Sequence, residues 1–469
     1  MNFPSISKEF TKTLPDQLFK IFLEYFGDRF TTKMSLREHH GKDESSYDPA
    51  PPDAVIFVKT TEEVIKVVKL CDEYSYPVIA FGSGTSLEGH ILALSGGICI
   101  DFSQMNSIIN FNSEDLTVTV QPGVTRKQLN NEIRNTGFFF PIDPGADASI
   151  GGMTATRASG TNAVLYGTMK ENVLALKVIS AKGNIIKTGT RAKKSSAGYD
   201  LTGLFVGSEG TLGIITEITL KVYPRPESVL SAICSFDMIS QAVDTVIHII
   251  QVGIPIARVE FVDENCVNAM NKYDNLNLPL KPLLLFEFHG TEANVNEQVE
   301  LVKEISLENN ANNFKWASLP EERTKLWQAR HNAYFAMLQM RPGSRAITTD
   351  CCVPISRLTE CIVETKKDCD SNDIVFGIVG HVGDGNFHVQ MMVDTFDKND
   401  VAKAEAVNQR MVKRAILMDG TCTGEHGVGI HKIDFLIEEH GENAINIMRV
   451  IKKSLDPKNI LNPGKVIRI

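Results

Sequence analysis

No excess of basic charge runs through this sequence: 48 Lys and Arg stand against 57 Asp and Glu, a formal net charge of −9. A nucleic-acid binder needs a basic stripe to answer the phosphate charge, so that class is excluded. No apolar run of about 18 residues occurs, which leaves no membrane span to expect. Cysteine appears nine times, an odd count with no C-x-x-C pair. That pattern suits neither a disulfide framework nor a thiolate zinc site, and a reducing, cytoplasmic compartment is expected. The opening residues, MNFPSISKEFTKTLPDQLFKIFLEYFG, lack the uncharged apolar stretch and small-residue cleavage site of a secretory signal. Leu18, Phe22 and Tyr25 stand there at helical spacing, so an amphipathic helix is expected instead. Internal repeats and low-complexity segments are also missing.

What is present is an ordinary globular composition, 43% hydrophobic and 22% charged over 469 residues. One core rarely absorbs that much chain, so two domains are expected. From about residue 50 to 225 strands and helices alternate. Thr60-Thr61-Glu62-Glu63 is a capping box that opens into Val64, Val67, Val68 and Cys71, apolar at i, i+3, i+4 and i+7. Strand-like runs start at Pro77, Ile98 and Leu116, and a helix is expected over residues 126–136. Beyond the Pro224-Arg225-Pro226 turn come longer helices, near residues 239–252, 294–307 and 320–339, and the strand LLLFEF from Leu283. The boundary is placed near 225, and residues 420–469 are expected to fold back onto the first domain.

Glycine clusters in three segments. FGSGTSLEGH (residues 81–90) places Gly82, Gly84 and Gly89 after a strand, where freed backbone N–H groups suit a pyrophosphate. The spacing is neither G-x-G-x-x-G nor a P-loop, and taken alone the segment is equally a plain turn. PIDPGADASIGGMTATRASGTNAVLYG (residues 141–167) and GSEGTLGIIT (residues 207–216) repeat the theme. With WQARHNAYFA, TDCCVPISRL, GHVGDGNFH, TCTGEHGVG and NPGKV farther on, the chain resembles, over nearly its whole length, the vanillyl-alcohol oxidase superfamily in its D-lactate dehydrogenase and glycolate oxidase branch.

The resemblance implies an α+β fold: a two-part FAD-binding domain, residues 1–225 and 420–469, with an inserted α+β cap, residues 226–419, built on an antiparallel sheet. By it Gly82, Ser83, Gly84, Thr85 and Ser86 contact the pyrophosphate, with Gly89 in the same loop. Pro144, Gly145, Ala146, Ser149, Gly151, Gly152, Met153, Ala155, Thr156, Ser159, Gly160, Tyr166 and Gly167 would line the adenosine and isoalloxazine parts. Glu209, Gly210, Gly213, Ile214 and Ile215 would share that task, and Asn462 joins them from the terminal run. Some members tether FAD to a histidine near the first loop. In this branch FAD is held without a bond, so His90 is expected to be structural.

Of eleven histidines, His381 and His388 stand out. They flank GDGN between two strand-like runs, and a two-residue Asp384-Gly385 turn would set them directly opposite, with Gln390 on the same face. Either a stacking pair or a metal pair fits that placement. The resemblance makes Glu425 a third ligand, His426 the catalytic base and Gln390 a substrate contact. Two imidazoles and a carboxylate with open positions suit Zn or Mn. Arg330 falls on the inward stripe Leu326, Arg330, Ala333, Met337 of the expected 320–339 helix. A charge there needs a partner, either an internal salt bridge or a substrate carboxylate, and the resemblance favours the carboxylate.

The expected activity is flavin-dependent oxidation of a D-2-hydroxy acid, D-lactate ahead of glycolate and D-2-hydroxyglutarate. Relatives acting on 2-hydroxyglutarate carry a lysine shortly before the cap's Val-Pro or Leu-Pro step, and Ile347-Thr348-Thr349-Asp350 has none, though Arg345 lies near. The electron acceptor (a quinone, a cytochrome or an electron-transfer protein) stays open. So do peripheral contact with the inner membrane and the number of chains, a homodimer included. The rival classes are a metal-dependent hydrolase, weakened by the missing HExxH, and a non-catalytic flavin or metal carrier.

Overall fold

The computed structural model describes residues 13–317 and 319–469; the first twelve residues of the segment read for a secretory signal lie outside that range. The chain forms two compact α+β units. The first comprises residues 13–159, Gly167–Pro224 and Glu425–Ile469, and the second comprises Gly160–Tyr166 and Arg225–Gly424.

In the first unit, strands Ala54–Phe57, Ile98–Asp101 and Val78–Phe81 run parallel, and Phe30–Thr31 closes one edge antiparallel. The helix Thr61–Tyr74 starts where the capping box predicts, Thr60 accepting the Glu63 amide, and its Val64, Val67, Val68 and Cys71 are all buried. The helix Asp16–Phe26 buries Leu18, Phe22 and Phe26, whereas Tyr25 is exposed. Phe26 continues the i, i+4 stripe that Tyr25 leaves.

A second sheet of this unit is antiparallel, in the order Ile108–Asn112, Thr117–Val120, Ile214–Lys221, Val173–Ile179, Ile185–Lys187. The expected helix over residues 126–136 is Arg126–Glu132 followed by a short 3-10 turn, Arg134–Thr136. The terminal segment pairs beside Val78: the Val78 amide donates to Ile460 O and the Asn462 amide to Val78 O, each at 2.8 Å.

The second unit is an antiparallel sheet in the order Asn312–Ala317, Ser228–Ser235, Leu283–Gly290, Arg258–Val262, Val375–His381, Asn386–Val393, Arg345–Thr348. Strand Asn386–Val393 is buried along its full length. The expected single helix over residues 320–339 is two, Pro320–His331 and Ala333–Met340, joined at Asn332. Across that join the buried row runs Trp327, Ala329, Arg330, Ala333, Ala336, Met337, and Leu326 is only half-buried. No helix among the described residues is long and apolar enough to cross a membrane.

Candidate active site

A cavity of about 1280 Å³, its mouth included, opens in the first unit. All three glycine segments line it: Gly82, Ser83, Gly84, Thr85 and Ser86; Pro144, Ala146, Ser149, Gly151, Gly152, Met153, Ala155, Thr156 and Ser159; Glu209, Gly210, Gly213, Ile214 and Ile215. Asn462, Glu425 and His426 complete the wall. Gly89, Gly145 and Gly167 are not among the lining residues; Gly89, at φ +78°, lets Ile430 approach, and a Cβ there would lie 2.8 Å from Ile430 Cγ1. Gly160 and Tyr166 belong to the second unit, where the Tyr166 hydroxyl lies 2.8 Å from His289 Nδ1.

Local sequence explains the wall. Gly82 packs against the Ser149 hydroxyl, which caps the short helix Ile150–Thr156, and Gly151 packs against Pro122, so neither position has room for a side chain. At Gly210 the reverse holds: a Cβ would meet only Ala80 Cβ at 3.8 Å, so a side chain would stand in the cavity. The walls therefore leave space for a flat, elongated group. His90 also lines the cavity, and its buried ring nitrogens make no hydrogen bond, although Nε2 lies 3.4 Å from Glu209 Oε2. Burial opposes a charge on His90, but Glu209, with Glu88 and Asp43, outweighs burial and raises its pKa. Orphaned donors on a glycine-walled cavity are what a polar ligand such as FAD would meet.

Beneath the wall lies a buried polar network. Glu88, fully buried, faces His426 Nδ1 at 3.2 Å, His431 Nδ1 at 2.8 Å and Lys432 Nζ at 3.0 Å. Burial would raise its pKa, but Lys432 and the two histidines hold it well below the usual carboxylate range. Glu209 accepts the amides of Val428 and Gly429 at 2.7 and 2.9 Å, fixing the EHGVG turn. Asn462 donates to His90 O and Glu209 O. Burial pushes Lys465 down to about 7, against the pull of Glu209 and Asp43.

In the second unit His381 and His388 share one sheet face, their rings 5.4 Å apart and nearly perpendicular. The two-residue turn is a misreading. Val382–Asp384 is a 3-10 turn ending on Gly385 at φ 79°, so His381 pairs with Asn386 and Val379 with His388. The register differs from the expected one by two residues, and an even slip keeps the face. Gln390 lies on that face too, buried, its Oε1 making no hydrogen bond. His381 Nδ1 meets Glu260 Oε1 at 2.6 Å and His388 Nδ1 meets Thr349 O at 3.0 Å. An acceptor at Nδ1 of each ring favours the tautomer that carries its proton there.

Arg330 does have an internal partner: its Nη2 donates to Glu260 Oε2 at 2.6 Å. Its Nε is buried and makes no hydrogen bond, so the guanidinium keeps a donor for another acceptor. Burial raises the Glu260 pKa, but His381 and then Arg330 outweigh it and hold the carboxyl below its ordinary value.

Glu88, Glu260 and His431 escaped the sequence reading, and so did Asp350, which accepts from Asn386 Nδ2 at 2.8 Å and Thr423 Oγ1 at 2.7 Å. The available signal was a lone charge in apolar surroundings: Glu260 sits in RVEFV and Glu88 between Leu87 and Gly89. His40 is buried as a satisfied polar group, its Nε2 2.7 Å from Asp101.

Comparison with known proteins agrees with this architecture. Residues 52–189 match the FAD binding domain model, and residues 225–466 match the model of FAD linked oxidases, C-terminal domain. "Probable D-lactate dehydrogenase, mitochondrial" of Danio rerio is 51% identical over 93% of this chain and 88% of its own. "D-lactate dehydrogenase [cytochrome], mitochondrial" of Arabidopsis thaliana is 45% identical over 97% and 81%. Glycolate oxidase subunit GlcD of Bacillus subtilis is 36% identical over 90% and 91%. Among solved structures, 4-ethylphenol oxidase from Gulosibacter chungangensis shares the fold at TM-score 0.80 and 17% identity, covering 97% of this chain and 98% of its own. The glycine-walled cavity, the antiparallel second unit and these likenesses place the chain in the FAD-linked oxidase family, with the D-lactate dehydrogenases among its relatives.

Proposed function

We propose that this flavoenzyme oxidises a D-2-hydroxy acid to the 2-oxo acid, with D-lactate as its first substrate. The observation that carries it is His426 on the wall of the glycine-lined cavity, with buried Glu88 behind its Nδ1. The D-lactate dehydrogenase names of the relatives point the same way. Against D-2-hydroxyglutarate, Arg345 is exposed and pairs with Val393, whereas Thr348 pairs with Gln390. Three residues of strand, about 10 Å, thus separate that cation from the Gln390 position.

Bound FAD, held without a covalent tether, supplies the two-electron acceptor, and NAD plays no part. A divalent ion, Zn or Mn, with His381, His388 and Glu425 as proposed ligands, would supply Lewis acidity at the substrate hydroxyl. Arg330 grips the substrate carboxylate while Glu260 holds one end of its guanidinium. The Gln390 amide is a second polar contact for the substrate. His426 takes the hydroxyl proton on Nε2, and Glu88 at Nδ1 fixes the tautomer and favours the imidazolium that forms. In domain terms residues 1–225 and 420–469 bind FAD, and residues 226–419 bind the acid.

A cytochrome is the acceptor class to try first, since the Arabidopsis relative carries that word in its name. The nine cysteines, none of them in a disulfide, suit a reducing compartment. Anaerobic bleaching of the flavin by a panel of D- and L-2-hydroxy acids tests the whole proposal. D-lactate should bleach it fastest and L-lactate should not, and a colourless protein would leave the hydrolase as the better account.

A further inference from the structure

We propose that Glu260 is the positioning residue of the cap, one carboxylate that orients both the metal-binding histidine and the substrate-binding arginine; this rests on the function proposed above. Glu260 lies on the central strand Arg258–Val262, fully buried. That strand pairs with Val375–His381 through Phe261 with Gly380 and Val262 with Val379, which brings Glu260 alongside His381. Its two oxygens are divided. Oε1 meets His381 Nδ1 and Oε2 accepts from Arg330 Nη2, each at 2.6 Å.

The division carries chemical consequences. An acceptor at Nδ1 keeps the ring proton there, so Nε2 is the nitrogen of His381 that carries the lone pair a divalent ion needs. The bond at Nη2 fixes the guanidinium plane, and the buried, unbonded Nε is the donor left to face a carboxylate. A glutamine cannot serve both. With its oxygen towards Arg330 it offers an N–H to His381 Nδ1, which moves the ring proton to Nε2 and blocks ligation. With its oxygen towards His381 it sets N–H against guanidinium N–H.

Glu260→Gln should therefore weaken metal binding about 10–100-fold, the usual cost of losing such an outer partner. Binding of Zn²⁺ and Mn²⁺ is measured by competition against a chelator, with flavin content and melting temperature as checks on folding. At saturating metal the variant's KM for D-lactate should also rise. Glu260→Asp keeps two acceptor oxygens and should recover part of the metal affinity. If Glu260→Gln does not fold because Arg330 is stranded, the double variant Glu260→Gln, Arg330→Met removes the buried charge, and its metal affinity should still fall.

Wild-type metal affinity in Glu260→Gln or in the double variant overturns the proposal. A wild-type protein that binds neither ion overturns the metal function and this role together. An unchanged KM in Arg330→Lys would sink the clamp alone and leave the metal test standing.

Discussion

At His426 and Arg330 the chemistry depends on what stands behind each side chain. His426 rests on a carboxylate that Lys432 and hydrogen bonds from two histidines hold well below the usual carboxylate range, so an acceptor stands at its Nδ1. His426→Ala should keep the flavin and lose about 10²–10⁴-fold in the rate of reduction by D-lactate, the range for a positioned proton transfer. Stopped-flow bleaching measures this, and a normal rate would require another base. Arg330→Lys keeps the charge and loses the planar fork, so KM should rise along with a fall in rate. Thermal protection by D-lactate, present in the wild type and absent in the variant, distinguishes lost binding from lost folding.

Among the elements, the helix Glu264–Asp274 carries a testable strain. Asp263 caps it by accepting the Cys266 amide at 2.8 Å, yet its other oxygen is buried without a hydrogen bond. Burial, with the Glu264 charge, lifts its pKa from 3.8 to about 7 against the pull of the Cys266 and Ile378 backbone contacts. Between those two values the folded chain holds a proton that the unfolded chain has lost, so this group's contribution to stability falls as pH rises. Asp263→Asn keeps the capping oxygen and removes the ionisation. Urea midpoints should show the variant close to wild type near pH 4 and more stable at pH 8.5, by on the order of 2–4 kcal/mol at 1.36 kcal/mol per pKa unit. Equal midpoints at both pH values would mean that the carboxylate finds a partner when ionised.

For the molecule as a whole, FAD and the proposed metal ion can be tested one at a time. Acid denaturation should release all the yellow colour into the supernatant, because no covalent bond between His90 and FAD is expected. Colour kept in the precipitate would make His90 the tether. A chelator should stop bleaching by D-lactate while the flavin stays bound. Bleaching that is as fast without metal would leave the ion, if present, a structural part only.

Much of this protein is legible locally. The Thr60 cap, the buried stripe of the helix it starts and the glycine segments that wall the cavity depend on neighbours within a few residues, and those are written in the chain. The face shared by His381, His388 and Gln390 was legible for the same reason, since side chains alternate with period two and the true four-residue loop preserves that parity. The loop itself was not, because Asp-Gly suits both lengths and only the packed strands choose between them. Nor were the carboxylates that stand behind these histidines. Glu88 meets His426 across 338 residues of sequence, and Glu260 meets His381 across 121. Burying a charge is tolerable only where the fold returns a partner to it, and where the chain returns is decided by sheet order and core packing, which no window of local sequence contains.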